Sequence, residues 1–186
     1  MNHLSTLQQV TNALLENNKN DASKILKESY PFIPSTKIKR SYTQFQSLEV
    51  FIKDGFIDRY SGAKLVYPSV LYAISDALPE QFPMGGGRSN SHSAHWELFP
   101  TVDHLYPVSR GGQDNMENWM TTSMTNNLAK SSATLEEINW KLYPAGNAGS
   151  WDGLCSWYLE YHKEHPYIAD MKNNKGWHKA LIKKYT

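Results

Sequence analysis

Asp103 and His104 stand side by side in the run Val102-Asp103-His104-Leu105-Tyr106-Pro107-Val108-Ser109-Arg110-Gly111-Gly112, which is followed by Glu117-Asn118-Trp119 and then by Asn127-Leu128-Ala129-Lys130. An acid next to a histidine at a strand end puts an oxygen ligand and a nitrogen base on neighbouring side chains that point to opposite faces. One can hold a cation while the other faces a water. Hydrolysis of a phosphodiester needs both: a divalent cation that neutralises charge developing on the oxyanion and leaving group, and a base that deprotonates the attacking water. An asparagine near a second strand could orient the imidazole, and one on a helix could complete the metal site with a neutral oxygen. Taken singly, each residue has a bland reading. An Asp-His dipeptide is more often a structural hydrogen-bonded pair, Asn118 a turn or cap residue, Asn127 a helix N-terminal residue and Lys130 a solvated lysine. Their common order and spacing shift the weight to chemistry.

That order closely resembles the HNH endonuclease family, whose ββα-metal unit carries Asp-His near its start, Pro and Gly-Gly in the loop, Asn before the second strand and Asn-x-x-Lys in the helix. The likeness runs from Val102 to Lys130. It implies His104 as general base, Asp103 and Asn127 as metal ligands, and Asn118 as the residue that orients the histidine or its loop. Asn127 is preferred to Asn126 because only Asn127 forms Asn-x-x-Lys with Lys130. Lys130 and Arg110 are the candidate phosphate contacts within the unit, and Glu97, His92 and His95 are secondary candidates for the metal site. The family also implies cleavage that leaves 5′-phosphate and 3′-hydroxyl ends. Many HNH proteins carry two Cys pairs around a structural zinc. Here Thr121, Thr122 and Ser123 stand near where one pair would be, and Cys155 is the single cysteine, so no structural zinc is expected. An oxygen-rich ligand set favours Mg²⁺ or Mn²⁺ as the one divalent cation.

The elements that must position these residues follow from periodicity. Residues 98–103 and 119–122 read as short strands separated by Gly111 and Gly112, with a helix at 126–130. Upstream, Leu4, Leu7, Val10, Leu14 and Leu15 recur at helical spacing. Further helices are expected over 22–29, over 43–53 and from Pro68 to Pro79, the last opened by a proline at its first turn. Residues 83–97, with Gly85, Gly86 and Gly87, read as a flexible surface loop. Thr134 and Glu137 have capping-box spacing, which predicts a helix through Ile138 and Leu142. Helices are also expected over 151–162 and from Gly176 onward. The expected fold class is α+β, mainly helical with a small ββα-metal catalytic unit: a helical region 1–82, the loop 83–97, the ββα unit 98–131 and a helical region 132–186, together one compact domain.

Composition sets the outer limits. The 186 residues are 40% hydrophobic and 12% aromatic, enough bulk for a packed core and too much for a disordered chain. No run of 18 apolar residues and no secretory signal pattern is present, so the chain reads as cytoplasmic, without a membrane partner. Nineteen Lys and Arg against eighteen Asp and Glu give a net charge of only +1. Phosphate contacts are local, however, and an acidic face elsewhere can cancel them in the sum. Lys172, Lys175, Lys179, Lys183 and Lys184 form an acid-free tail in which Lys179 and Lys183 would share a helical face with the DNA backbone. Lys37, Lys39 and Arg40 form a second cluster. The reading is a metal-dependent endonuclease acting on duplex DNA, with restriction-type cleavage and a homodimer left open. The alternatives are a non-catalytic DNA-binding module of a larger complex, or a ribonuclease or toxin-type nuclease.

Overall fold

The computed structural model of the protein describes residues 3–32 and 42–185. Lys37, Lys39 and Arg40 therefore lie outside the described residues. The chain divides into two compact units, Met1–Lys37 and Ile38–Thr186. In the first, α1 (His3–Leu15) and α2 (Lys19–Ser29) form a helical hairpin. Asn17, at φ 57°, turns the chain, and the Asn18 side chain accepts from the Asp21 amide to cap α2. Val10, Ala13 and Ala22 are its buried contacts.

The second unit is mainly helical around one two-stranded antiparallel sheet. Its order is α3 (Gln44–Lys53), α4 (Pro68–Ala77), the short turn α5 (Ala94–Glu97), β1 (Pro100–His104), β2 (Trp119–Ser123), α6 (Met124–Lys130), α7 (Cys155–Glu164) and α8 (Lys175–Tyr185). A complete capping box at Thr43 and Gln46 starts α3, and Pro68 occupies the first turn of α4, where its missing N–H costs nothing. Leu48, Phe51, Phe56, Tyr67, Tyr158, Ile168 and Leu181 are buried in a core to which the hairpin contributes Val102 and Trp119. α3 and α8 pack together on this core. No helix among the described residues is long and apolar enough to cross a membrane.

Two expected elements differ. Residues 83–97 are not loop throughout, because a 3₁₀ turn at Arg88–Asn90 leads into α5, where Ala94 and His95 are buried. The helix predicted through residues 134–142 does not form. Thr134 and Glu137 do exchange both capping hydrogen bonds, yet Asn139 turns left-handed at φ 53° and the Trp140 amide closes on the Leu135 carbonyl. Pro144 follows, and a single nucleated turn has nothing to propagate into.

Candidate active site

β1 and β2 pair in a register that sets Asp103 opposite Met120 and His104 opposite Trp119. Residues opposite one another share a face and successive residues alternate. His104, Trp119 and Thr121 therefore face α3, where the Thr121 hydroxyl donates to the Val50 carbonyl. Thr101 and Asp103 face α6, where Asn127 Nδ2 donates to Thr101 Oγ1 at 3.0 Å and Lys130 Nζ meets Asp103 Oδ2 at 2.8 Å. The general base and ligands expected from the sequence thus lie on the two sides of one strand end.

Two buried carboxylates hold this hairpin in place. Asp54 accepts from the Thr121 amide and from Arg59 Nη1, each at 2.7 Å. Asp58 accepts from the amides of Tyr60 and Ser123, from the Thr122 hydroxyl and from Asn126 Nδ2, at 2.8–3.0 Å. Asp58 thereby fixes the junction of β2 and α6 and takes up Asn126, which leaves Asn127 as the asparagine on the Asp103 side. Ser123 caps α6 by accepting from the Asn126 amide. The motif carries no sign of these carboxylates, because Asp54 and Asp58 lie more than sixty residues away from their partners in β2 and α6.

His104 is 2% exposed. Its Nε2 lies 2.7 Å from Asp114 Oδ1, and the Trp119 indole N–H lies 2.8 Å from the same oxygen. An ionised carboxylate only accepts and an indole only donates. The indole nitrogen also lies 3.1 Å from Nε2, but two N–H groups cannot bond each other, so with Nε2 donating to the carboxylate the indole N–H goes to Asp114, and in this tautomer the ring's lone pair is on Nδ1. Nδ1 is buried and has no hydrogen-bond partner. Asp114 was not singled out in the sequence; only the return of the loop brings it back to a residue ten positions earlier. That loop is held by Asn118, whose Nδ2 donates to the carbonyls of Tyr106 and Gln113 while its Oδ1 accepts from the Tyr106 amide. The role expected for Asn118 takes the form of a loop clamp, with no contact to the imidazole.

On the other side, Asp103 is 3% exposed and Lys130 1%. The Tyr60 hydroxyl donates to Asp103 Oδ2 at 2.8 Å. Burial, then the charge of Asp103, pushes the Tyr60 hydroxyl far above its usual range, which keeps it protonated as a donor. Lys130 Nζ also donates to the His104 carbonyl at 2.8 Å. Lys130 does not sit on the surface as a phosphate contact; it is the internal counter-ion of the expected metal ligand. Residues 131–140 run past this side, with the Trp140 ring 5.8 Å from that of Tyr60 and Glu137 paired with Arg110 at 2.6 Å. His92 and His95 pack on Phe82 instead of approaching Asp103, and burial followed by the nearby His92 lowers the basicity of His95.

Could this donor set hold a hard divalent cation? No group of three or more His, Cys, Asp or Glu gathers among the described residues. Magnesium, however, is often bound through one or two carboxylates, with waters and substrate phosphates completing the shell. Asp103 supplies a carboxylate, and Asn127, whose amide nitrogen is turned to the strand, has its Oδ1 left to coordinate. The ammonium of Lys130 already stands at Asp103 in place of such a cation. The residues fit a sparse, oxygen-only site.

Of the other expected DNA contacts, Lys179 is exposed on α8, whereas Lys183 lies over the Phe45 ring at 4.1 Å. Lys184 approaches Glu49 at 3.9 Å and Lys175 pairs with Asp170 at 3.1 Å. Compared with protein-family models, with curated proteins and with solved structures, the chain finds no match.

Proposed function

We propose that the chain is a metal-dependent endonuclease of HNH type that hydrolyses phosphodiester bonds of duplex DNA. The observation that carries this reading is the His104 ring, anchored through Nε2–H on Asp114 with its Nδ1 lone pair buried and unpartnered. A structural histidine satisfies both nitrogens; a general base keeps one in reserve. In the reaction Nδ1 takes a proton from the attacking water, and Asp114 holds the tautomer and balances the imidazolium that results. Asp103 and Asn127 would hold Mg²⁺ or Mn²⁺, which supplies Lewis-acid stabilisation of the charge on the departing oxygen. Asn118 keeps the loop, and with it Asp114, in register.

A second reading has its own observation. With His104 and Asp103 both covered, a DNA-binding module without turnover accounts for the closed site. One assay separates the two. Supercoiled plasmid incubated with the protein and Mg²⁺ or Mn²⁺ is expected to be nicked or linearised, and to stay intact with chelator. Intact plasmid under every cation condition, with duplex binding retained, selects the binding module. Cleavage of RNA in preference to DNA selects the ribonuclease.

The proposed site must open for a phosphate to reach it, and the exposed Arg110–Glu137 pair is the tie across it. The Arg110 hydrogen bond, followed by the Thr134 amide, holds the Glu137 carboxyl below the usual carboxylate range, so the tie persists into mildly acidic solution. Replacing Glu137 by Gln releases Arg110 for a phosphate. Duplex affinity measured by fluorescence anisotropy is expected to rise. The slope of log K against log salt should steepen by about 0.9, the increment for one further phosphate contact. An unchanged slope would remove Arg110 from the DNA-contacting set.

A further inference from the structure

The Lys130 ammonium sits in a cage built for a cation. It lies 2.8 Å from each of two hard oxygens, in an ion pair with Asp103 Oδ2 and a hydrogen bond to the His104 carbonyl. The Tyr60 ring lies 5.6 Å from Nζ, and Tyr60 also donates its hydroxyl to Asp103. The lysine side chain is fully buried, and buried lysines occur almost only when paired. Asp103 Oδ2 therefore already bears one full positive charge and one hydrogen-bond donor. A divalent cation brought to the same oxygen meets the ammonium at a few ångströms inside a low-dielectric site, where like charges repel strongly. On that oxygen the two cations compete for one position.

Lys130 is placed to be the one that leaves. It is the last residue of α6, and Ser131 immediately after it holds φ 51° and ψ −122°, a left-handed value that a residue with a side chain keeps only under constraint. Beyond it, residues 131–140 contain no regular element. The lysine stem is thus attached to the end of a helix, from which four rotatable bonds can carry the ammonium outward.

We propose that Lys130 is a built-in counter-ion that a divalent cation displaces from Asp103, so that metal loading and the release of an ammonium toward the DNA phosphates are a single exchange. The inference rests on the reading of Asp103 as a metal ligand. It makes the lysine internal in the metal-free protein and phosphate-facing in the loaded one. It also makes the site resistant to loading at low cation concentration, since the incoming ion must replace a buried ion pair and the hydrogen bond to the His104 carbonyl.

The experiment reads metal binding and lysine exposure, not cleavage. In the wild-type chain, amine acetylation followed by mass spectrometry should find Lys130 protected without metal and reactive at saturating Mn²⁺, with Lys179 reactive in both. Mn²⁺ binding followed by electron paramagnetic resonance should be at least about tenfold tighter in Lys130→Met than in wild type, and lost in Asp103→Asn. Lys130 that stays protected at saturating Mn²⁺ overturns the exchange. If Asp103→Asn abolishes binding while Lys130→Met matches wild type, the exchange is likewise wrong but Asp103 remains a ligand. If no variant binds Mn²⁺, the exchange is wrong and the ligand assignment fails with it, whereas the plasmid assay decides separately whether the chain is a nuclease. Should Lys130→Met fail to fold, judged by near-ultraviolet circular dichroism, the wild-type labelling still decides.

Discussion

His104→Ala is expected to lower plasmid cleavage by at least about 10², because removing a positioned general base typically costs about 10² to 10⁴ in rate. His104 Nδ1 is the one nitrogen in the hairpin with a lone pair and no partner, and its opposite edge is fixed by Asp114 and, through it, by the Trp119 indole. Asp114→Asn should also slow the reaction, since a carboxamide can offer its own N–H to Nε2 and so favour the tautomer whose lone pair faces the wrong way. Truncating a buried imidazole leaves a cavity and an Asp114 with one donor fewer, so some loss of stability accompanies the loss of rate. Cleavage is therefore to be measured under single-turnover conditions well below the unfolding midpoint, with duplex binding measured alongside. A variant that binds and cleaves at the wild-type rate between about pH 6 and 9 would falsify the assignment of His104 as base.

What the sequence reveals about such a site depends on how local each interaction is. The hairpin was legible because alternation, Gly111 and Gly112 and the Asn118 clamp all act within some twenty residues; the observed strands differ from those expected by a residue or two at their ends. The α+β, mainly helical class followed from the same periodicities. Asp54, Asp58 and Tyr60 were not legible, since each reaches the hairpin from the turn region after α3. A lone acid in a sequence carries no mark of its distant partner. The fate of Lys130 was hidden for a different reason. Its place in Asn-x-x-Lys is compatible with facing out or in, and the outcome is set by its ion pair with a carboxylate 27 positions earlier. The predicted helix at 134–142 failed through reading a start signal without a continuation. A net +1 is weak for a DNA-binding chain, and three of the cations around the site, Lys130, Arg110 and Arg59, are matched by Asp103, Glu137 and Asp54. Their charges face the chain's own carboxylates.

The same pairing gives the largest stability effect expected of any single substitution in the site. Asp103→Ala leaves the Lys130 ammonium buried with only the His104 carbonyl as an oxygen partner, and strands the Tyr60 hydroxyl. Breaking a buried ion pair from one side typically costs about 3 to 5 kcal/mol, most of it the penalty of an uncompensated charge. Against the roughly 5 to 15 kcal/mol that stabilises a folded chain, such a loss is visible at once in urea unfolding. The double variant Asp103→Ala with Lys130→Met removes both charges and fills the lysine volume with an apolar stem, so it should regain most of the loss, as replacing a buried pair by apolar groups is often near neutral. A double-mutant cycle would then return a coupling of about 2 kcal/mol or more, within the range found for directly contacting residues. Asp103→Ala at a cost below about 1 kcal/mol would place the pair among solvated surface bridges. Lys130 would then have no need of Asp103, and the cage around its ammonium would lose its claim to hold a cation of any kind.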